Sequence, residues 1–245
     1  AADGNAFLGF VHVATGRFPG PELYGDQEPG VTGVIRCLTY QPGRRDAGQA
    51  LLDAARRHLA EQGAGRILAF PNNGYVFQRF AYGELPDLCA HTAALFLING
   101  FRVARGEVFM RWRDYGSACL PEAASTADIS VQHRDKAGRA LPSVVVTAKL
   151  DGHLVGVCEG HSFGLWGDSD VSHETVVLGP MDVEDDFQGR GWGKVLSYTM
   201  LAEARTLGYR HCATSTQQDN HRAQLFYTNM GFEVTDVAHS YLLDL

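Results

Sequence analysis

The stretch that decides the fold is VEDDFQGRGWGK, residues 183–194. Apolar residues with strand character precede it over Thr175–Val183, and a helical pattern follows over Trp192–Leu207. Three closely spaced glycines therefore occupy a tight turn between a strand and a helix. Such a turn leaves backbone N–H groups unpaired at the helix N-terminus, where the helix dipole is positive. The pattern favours a phosphate or pyrophosphate ligand.

Two common phosphate-binding loops fit this stretch poorly. A Walker loop needs glycine where the chain has Gln188 and Ser or Thr where it has Val195. A dinucleotide fingerprint needs Gly-x-Gly-x-x-Gly, whereas these glycines are separated by single residues. Arg190 and Lys194 add positive charge suited to an anionic ligand. A glycine-rich turn without a ligand is the alternative interpretation.

The second half of the chain has a regular order of predicted elements. After the helix come a strand, a further helix and a last strand, at Arg210–Thr214, Arg222–Met230 and Glu233–Leu243. Two strands separated by Asp151-Gly152 predict a hairpin ahead of them, at Ser143–Leu150 and His153–His161.

The first half repeats that order. Its strand, helix, strand, helix and strand are predicted at Gly33–Tyr40, Asp46–Gln62, Arg66–Phe70, Ala93–Asn99 and Val103–Trp112. Gly48 and Gly63 are fifteen positions apart, as are Gly193 and Gly208, and each second helix closes on Gly-Phe. The repeat predicts an α/β fold of two tandem domains, each a mixed β-sheet flanked by helices.

Composition and the repeat together suggest the domain limits. We expect domains at 1–116 and 128–245, joined by a linker at 117–127 that is rich in Ser, Ala and Pro. The first half carries an insertion, Pro71–Pro86, which is rich in aromatic residues. The second half has no counterpart of this insertion.

The overall composition excludes several classes of protein. The 245 residues are 45% hydrophobic and 20% charged, with a formal charge of −7, which argues against disorder and against a basic nucleic-acid-binding face. No apolar run approaches the length of a membrane span. Five widely separated cysteines suggest free thiols in a reducing cytoplasm. No tight metal-ligand spacing occurs, so we expect no metal.

A second motif lies on the last predicted helix: Asn220-x-x-Ala223-x-x-Phe226-Tyr227-x-x-x-Gly231-Phe232. Together with Gln188-x-x-Gly191-x-Gly193, it resembles the GNAT superfamily of acyl-CoA-dependent N-acetyltransferases. The resemblance is good over Val176–Leu243, fair over Ser143–Glu174 and weak but orderly over Phe7–Trp112. The chain thus resembles a tandem GNAT protein.

The resemblance implies acetyl-CoA as co-substrate and assigns site residues. The pyrophosphate would be bound by the backbone of the glycine-rich stretch, at Gln188, Gly189, Arg190, Gly191, Trp192, Gly193 and Lys194. Met181, Asp182 and Val183 would bind pantetheine, with Asn220, Ala223 and Phe226 on its other side. Tyr227 would protonate the departing thiolate, although a core aromatic at this position is the alternative. Glu174 is the expected general base, with Asp182, His173 or a water relay left open.

The first half departs from the family pattern. When Gly48 is aligned with Gly193, Asp46 takes the place of Gly191, and a carboxylate there would repel a pyrophosphate. Phe96 takes the place of Tyr227, so the thiolate acid is missing. The first half is therefore predicted to be a degenerate GNAT domain that binds no acetyl-CoA.

The predicted function is transfer of an acetyl group to the primary amine of a small molecule by direct attack. Two alternatives remain: acetylation of a thiol-sugar precursor, as in mycothiol synthase, and a non-catalytic acyl-CoA-binding module. The expected partner is a small amine, with no nucleic acid or membrane, and the chain could act as a monomer or as a homodimer.

Overall fold

The computed structural model of the chain describes residues 1–3, 6–16, 31–72, 83–117, 127–134 and 141–245. Most of the predicted linker 117–127 and most of the Pro71–Pro86 insertion lie outside the described residues. Among the described residues, no helix is long and apolar enough to span a bilayer. The described part forms two compact units.

The first unit comprises residues 1–108, 216–221 and 236–245. Its elements in chain order are β1 (Gly9–Gly16), β2 (Val31–Tyr40), α1 (Arg45–Glu61), β3 (Ala64–Ala69), α2 (Ala90–Ile98) and the first part of β4 (Arg102–Trp112). Two-residue strands lie at Ala2–Asp3, Ala6–Phe7 and Leu85–Pro86.

The sheet of the first unit is mixed. β1 and β2 pair antiparallel, β2 and β3 pair parallel across helix α1, and the end of the chain pairs antiparallel with β3, with Tyr241 opposite Ala69. Helix α1 buries Leu52, Ala55 and Leu59 against the sheet because these residues recur at helical spacing. A second apolar layer of stacked and edge-on aromatic rings joins α2 to the sheet, made of Phe70, Phe96, Phe101 and Tyr241.

The second unit comprises residues 109–215 and 222–235. Its complete elements are β5 (Asp128–Arg134), β6 (Ser143–Leu150), β7 (His153–Ser162), α3 (Asp170–His173), β8 (Thr175–Val183) and α4 (Trp192–Thr206). They are followed by β9 (His211–Gln217), α5 (His221–Met230) and β10 (Glu233–Asp244), which lie mainly or partly in this unit. The sheet order is β9-β8-β7-β6-β5, with β8 and β9 parallel and the others antiparallel.

Helix α4 lies across β6, β7 and β8. It buries Leu196, Met200, Leu201 and Ala204, each at most 1% exposed. Each half of the chain thus contains the predicted strand–helix–strand unit with parallel strands. The α/β class, with mixed sheets flanked by helices, is confirmed.

The compact units do not follow the predicted sequential limits. Residues 109–116 pack with the second unit, where Trp112 lies 5.7 Å from the ring of Phe232 and 6.4 Å from that of Tyr198. Residues 236–245 pack with the first unit through the ladder of β10 with β3. The reason is hydrogen bonding: the free edge of β3 takes the last strand of the chain as its partner.

Candidate active site

The predicted strand and helix around the glycine-rich stretch form the site. β8 ends at Val183, a single 3-10 turn covers Asp185–Phe187, and α4 begins at Trp192. Gly189 has φ +72° and Gly191, the helix N-cap, has φ +84°. Glycine adopts this left-handed region without the steric cost that other residues incur, which is why the tight turn uses it.

The backbone N–H groups of this turn are available to a ligand. From Gly189 to Lys194 they find no hydrogen-bond acceptor within the part of the chain that the structure describes. The first intrahelical bond of α4 runs from Val195 N–H to Gly191 C=O, at 3.2 Å. A Cβ built on Gly189 or Gly191 would meet nothing within 4 Å, so the space in front of the turn is open. This turn has the geometry of an anion cradle at a helix N-terminus.

Gln188 has a role that sequence reasoning missed. Its side-chain Nε2 donates to Val183 C=O at 3.0 Å and to Asp185 Oδ1 at 2.9 Å. The side-chain amide therefore connects the turn to the end of β8 by hydrogen bonds and stabilises the conformation of the turn. The position of glutamine ahead of the glycines was the only sequence signal for this contact.

The two predicted cations flank the turn. The Arg190 guanidinium lies 5.9 Å from the Phe187 ring centroid, and Lys194 Nζ lies 5.7 Å from that of Tyr198. Both side chains belong to exposed residues. Cation–π contact at exposed sites is weak, so the two charges can turn toward an anionic ligand at little cost.

The ladder between β8 and β9 ends before β8 reaches the glycine-rich turn. Their parallel ladder pairs Thr175 with His211 and ends with Val177 opposite Ala213. The last link across is the hydroxyl of Thr214, which donates to Leu178 C=O at 3.2 Å. Beyond it, no ladder pair joins residues 178–183 of β8 to β9 among the described residues. An extended ligand carrying amide groups can hydrogen-bond an unpaired strand edge as an added strand does.

A β-bulge interrupts β8 within residues 178–183. Met181 is opposite Cys158 of β7, but Leu178 is opposite Gly160, so Gly179 and Pro180 together oppose the single residue Glu159. Proline cannot donate to a ladder and is confined to strand edges and bulges. Pro180 within a predicted strand was therefore a sequence signal for the bulge that went unused. Bulges often re-aim backbone beside functional sites.

Met181 and Phe226 form the floor beneath the turn. Atoms of both side chains lie 3.7–3.8 Å from the position that a Cβ on Gly193 would take. Ser197 Oγ of α4 donates to Met181 Sδ at 3.0 Å. The structure thus brings together the predicted residues Met181, Gly193 and Phe226, from a strand, a turn and the last helix.

Tyr227 lies in a buried aromatic group. Its residue is 6% exposed, and its ring centroid is 5.3 Å from that of Phe226 and 5.4 Å from that of Phe232. Ala223 is in the first turn of the same helix. Asn220 directly precedes α5 and donates its backbone N–H to Gln217 C=O at 3.0 Å, and by packing it belongs to the first unit. The roles assigned to Tyr227 and Asn220 stay predictions.

The structure does not bring Glu174 to the turn. It lies just before β8, at the end opposite the glycines, and nine residues of extended strand span about 25 Å. There its Oε2 is 3.5 Å from Arg210 Nη1, and its C=O accepts from the N–H groups of Arg210 and His211. His173 lies beside it, whereas Asp182 is exposed near the turn. Glu174 therefore braces the far end of the sheet. Its role as general base stays a prediction.

The corresponding turn of the first unit carries a carboxylate of its own. Ala47 and Gly48 N–H groups both donate to Arg44 C=O, at 3.0 and 3.2 Å. Asp46 in the first turn of α1 is paired with the Arg44 guanidinium, which lowers the pKa of the carboxyl below its usual value. Phe96, at the position of Tyr227, is fully buried. An internal carboxylate thus sits where the second unit is open to an anion.

The chain belongs to the acetyltransferase (GNAT) family, whose sequence model matches residues 109–232. Among solved structures, it is similar to a tandem GNAT protein from the clavulanic acid biosynthesis pathway, with 15% identity and a TM-score of 0.65, covering 99% of this chain and 81% of that one. The chain is also similar to a glucosamine N-acetyltransferase region of a fungal multi-domain β-N-acetylglucosaminidase. The identity is 15% and the TM-score 0.64, and the match covers 96% of this chain and 31% of that one.

A GCN5-related N-acetyltransferase from Sphaerobacter thermophilus gives 14% identity and a TM-score of 0.56, covering 87% of this chain and 72% of that one. At these identities the likeness concerns the fold. No curated protein matches the chain. Among the described residues, no group of three or more His, Cys, Asp or Glu side chains is placed to hold a metal ion.

Proposed function

We propose that the second unit transfers an acetyl group from acetyl-CoA to the primary amine of a small molecule. One observation carries the proposal: an open cradle of N–H groups leads directly to the unpaired edge of β8. A pyrophosphate fits the first feature and an amide-bearing arm fits the second. In acetyl-CoA a pyrophosphate is followed by the amide-bearing pantetheine arm, so the order of its groups matches the order of the two features of the site.

The residues fit acetyl-CoA at each end. The N–H groups of 189–194 would bind the pyrophosphate, with Arg190 and Lys194 supplying charge. The backbone of Met181, Asp182 and Val183 would pair with pantetheine along this edge. Such pairing would bring the thioester beside the bulge at Gly179–Pro180, beyond the last ladder pair of β8 with β9.

The chemistry requires three tasks of the protein. A base must remove a proton from the acceptor ammonium, a donor must stabilise the carbonyl oxygen, and an acid must protonate sulfur as the C–S bond breaks. We assign the last task to Tyr227, because a phenol and a thiol have similar reference pKa values. The ring is held from both sides by Phe226 and Phe232, which would fix the hydroxyl relative to α5.

Turnover separates this proposal from a non-catalytic acyl-CoA-binding module. The whole chain is incubated with acetyl-CoA and a panel of small primary amines, and free thiol and N-acetyl product are both measured. The proposal expects amine-dependent thiol release that matches the product one to one. Binding of acetyl-CoA without release for any amine would support the binding module instead.

A control variant tests whether the activity arises at the cradle. Gly191→Val places a β-branched residue at φ +84°, a backbone region that such residues rarely adopt. It should weaken acetyl-CoA binding strongly and, at subsaturating acetyl-CoA, lower turnover in proportion. Turnover that is unchanged in this variant would place the reaction elsewhere in the protein.

A further inference from the structure

Two titratable side chains of β7 lie on the face of the sheet opposite α4. The α4 side is identified by Gly156 and Gly160, whose Cβ positions lie 3.0 Å from Leu196 Cδ1 and 2.6 Å from Met200 Sδ. Because side chains alternate along a strand, Glu159 and His161 face the other way. Neither residue figures in the site predicted from sequence.

Both side chains lie at the bulge. Glu159 is the single residue opposite Gly179 and Pro180, and His161 is opposite Val177, the last β8 residue paired with β9. The His161 imidazole covers Gly179 closely: Cδ2 and Nε2 are 2.9 and 3.1 Å from where a Cβ of that residue would lie. A residue with a Cβ at position 179 would crowd the His161 ring, so glycine is required there for this packing.

The two groups form an accessible pair. His161 Nε2 lies 3.4 Å from Glu159 Oε2, and the side chains are 29% and 25% exposed. The register also places on this face the charged or titratable residues Asp182 of β8, Lys149 of β6, Asp128 and Arg134 of β5, and His211 of β9. A partly exposed imidazole paired with a carboxylate is a common arrangement for a general base.

We propose that His161 is the general base of the acetyl transfer and that Glu159 is its positioning residue. The proposal rests on the function proposed above. Beyond the last ladder pair of β8 with β9, a thioester beside the bulge is exposed to both faces of the sheet. α4 covers one face, so an acceptor approaches from the other, where His161 lies over the bulge.

The step balances as follows. His161, directly or through one water, takes a proton from the acceptor ammonium, and the nitrogen lone pair forms the C–N bond to the thioester carbonyl carbon. The C–S bond breaks with its electron pair on sulfur, which is protonated as the second amine proton is lost. The imidazolium releases its proton to solvent, and Glu159 stabilises that cation in the meantime.

The first test uses His161→Gln and compares kcat/KM with acetyl-CoA affinity between pH 6 and pH 9. General-base assistance is commonly worth about 10²–10⁴-fold, so a loss of that order is expected at neutral pH. The loss should shrink as pH rises, because more of the amine is already unprotonated. Acetyl-CoA affinity by calorimetry should stay unchanged. The matched control is His153→Gln, an exposed histidine at the start of the same strand, which should behave as the unsubstituted protein.

Two further variants separate catalysis from structure. His161→Ala should recover part of its activity when free imidazole is added, which a lost packing contact would not do. Glu159→Gln should lower kcat and move the acid limb of the profile to lower pH, because the carboxylate no longer stabilises the protonated imidazole. An active protein whose kcat/KM is unaffected by His161→Gln overturns the inference, and a matching loss in Asp182→Asn would assign the base to Asp182. An unsubstituted protein that acetylates no amine refutes the proposed function itself.

Discussion

The Asp46 carboxylate is paired with the Arg44 guanidinium at 2.9 Å in the first turn of α1. At the matching turn of α4, the backbone N–H groups have no acceptor among the described residues. The same strand–turn–helix unit therefore carries a built-in anion in one copy and is open to an external anion in the other. Because a carboxylate and a pyrophosphate repel each other, we expect acetyl-CoA to bind the second unit and not the first.

The protein is expected to bind one acetyl-CoA per chain. Isothermal titration calorimetry measures the stoichiometry directly on the full chain. Gly191→Val should raise the Kd by about 5- to 150-fold, because the cradle must change shape to escape a backbone conformation that costs such a residue on the order of 1–3 kcal/mol. Two equal sites per chain would contradict the expectation that the first unit, with Asp46 at its turn, binds no acetyl-CoA.

Gly48→Ala should affect stability and leave acetyl-CoA binding intact. A Cβ on Gly48 would lie 2.7–2.9 Å from three atoms of the buried Tyr40 ring, so the helix or the ring must shift. Overpacking of this kind commonly costs about 1–3 kcal/mol. Urea unfolding gives the free energy of unfolding, and the same sample gives the Kd. A weakened acetyl-CoA affinity without loss of stability would show that the first unit takes part in binding.

Tyr227→Phe should lower kcat by about 10²–10⁴-fold while changing the acetyl-CoA Kd little. The substitution keeps the ring between Phe226 and Phe232 and removes only the proton donor. Steady-state kinetics with a good acceptor, together with calorimetry, separates the two parameters. If kcat is unchanged, Tyr227 serves only as part of the aromatic core.

A buried carboxyl of the first unit should make stability depend on pH. Burial raises the pKa of Glu84 to about 7, although Asn72 and Arg105, which both hydrogen-bond the same Oε1 atom, oppose the shift. Glu84 is 1% exposed, and its Oε2 has no partner among the described residues. A carboxyl with a raised folded-state pKa binds more protons folded than unfolded. Its contribution to stability is therefore fully present below the unfolded pKa and is lost as pH rises to about 7.

Urea unfolding at several pH values between 4.5 and 7 tests this dependence. The free energy of unfolding of the unsubstituted protein, relative to that of Glu84→Gln, should fall by at most about 1.4 kcal/mol per pH unit. Glu233→Gln at an exposed position is the matched control and should run parallel to the unsubstituted protein. Parallel curves for Glu84→Gln as well would show that folding does not raise the pKa of Glu84.

Local patterns in the sequence were enough for the elements that carry the cradle. The apolar run Thr175–Val183 is the observed strand β8, and the helix begins at the predicted Trp192. The glycines between them must adopt positive φ because the turn is short, and that requirement depends only on neighbouring residues. For the same reason the repeat of strand, helix and strand could be recognised in both halves.

Tertiary structure decided which residues meet across strands. The bulge that places Gly179 under His161 depends on the register of β8 against β7, which no local pattern specifies. The packing of residues 236–245 with the first unit depends on which free strand edge finds a partner. Glu174 and Asp182 are both carboxylates that precede the turn in sequence. Asp182 lies at the end of β8 next to the turn, whereas Glu174 lies at the opposite end of the strand. Sequence proximity fixes what a segment becomes, whereas hydrogen bonding between distant strands determines what it lies beside.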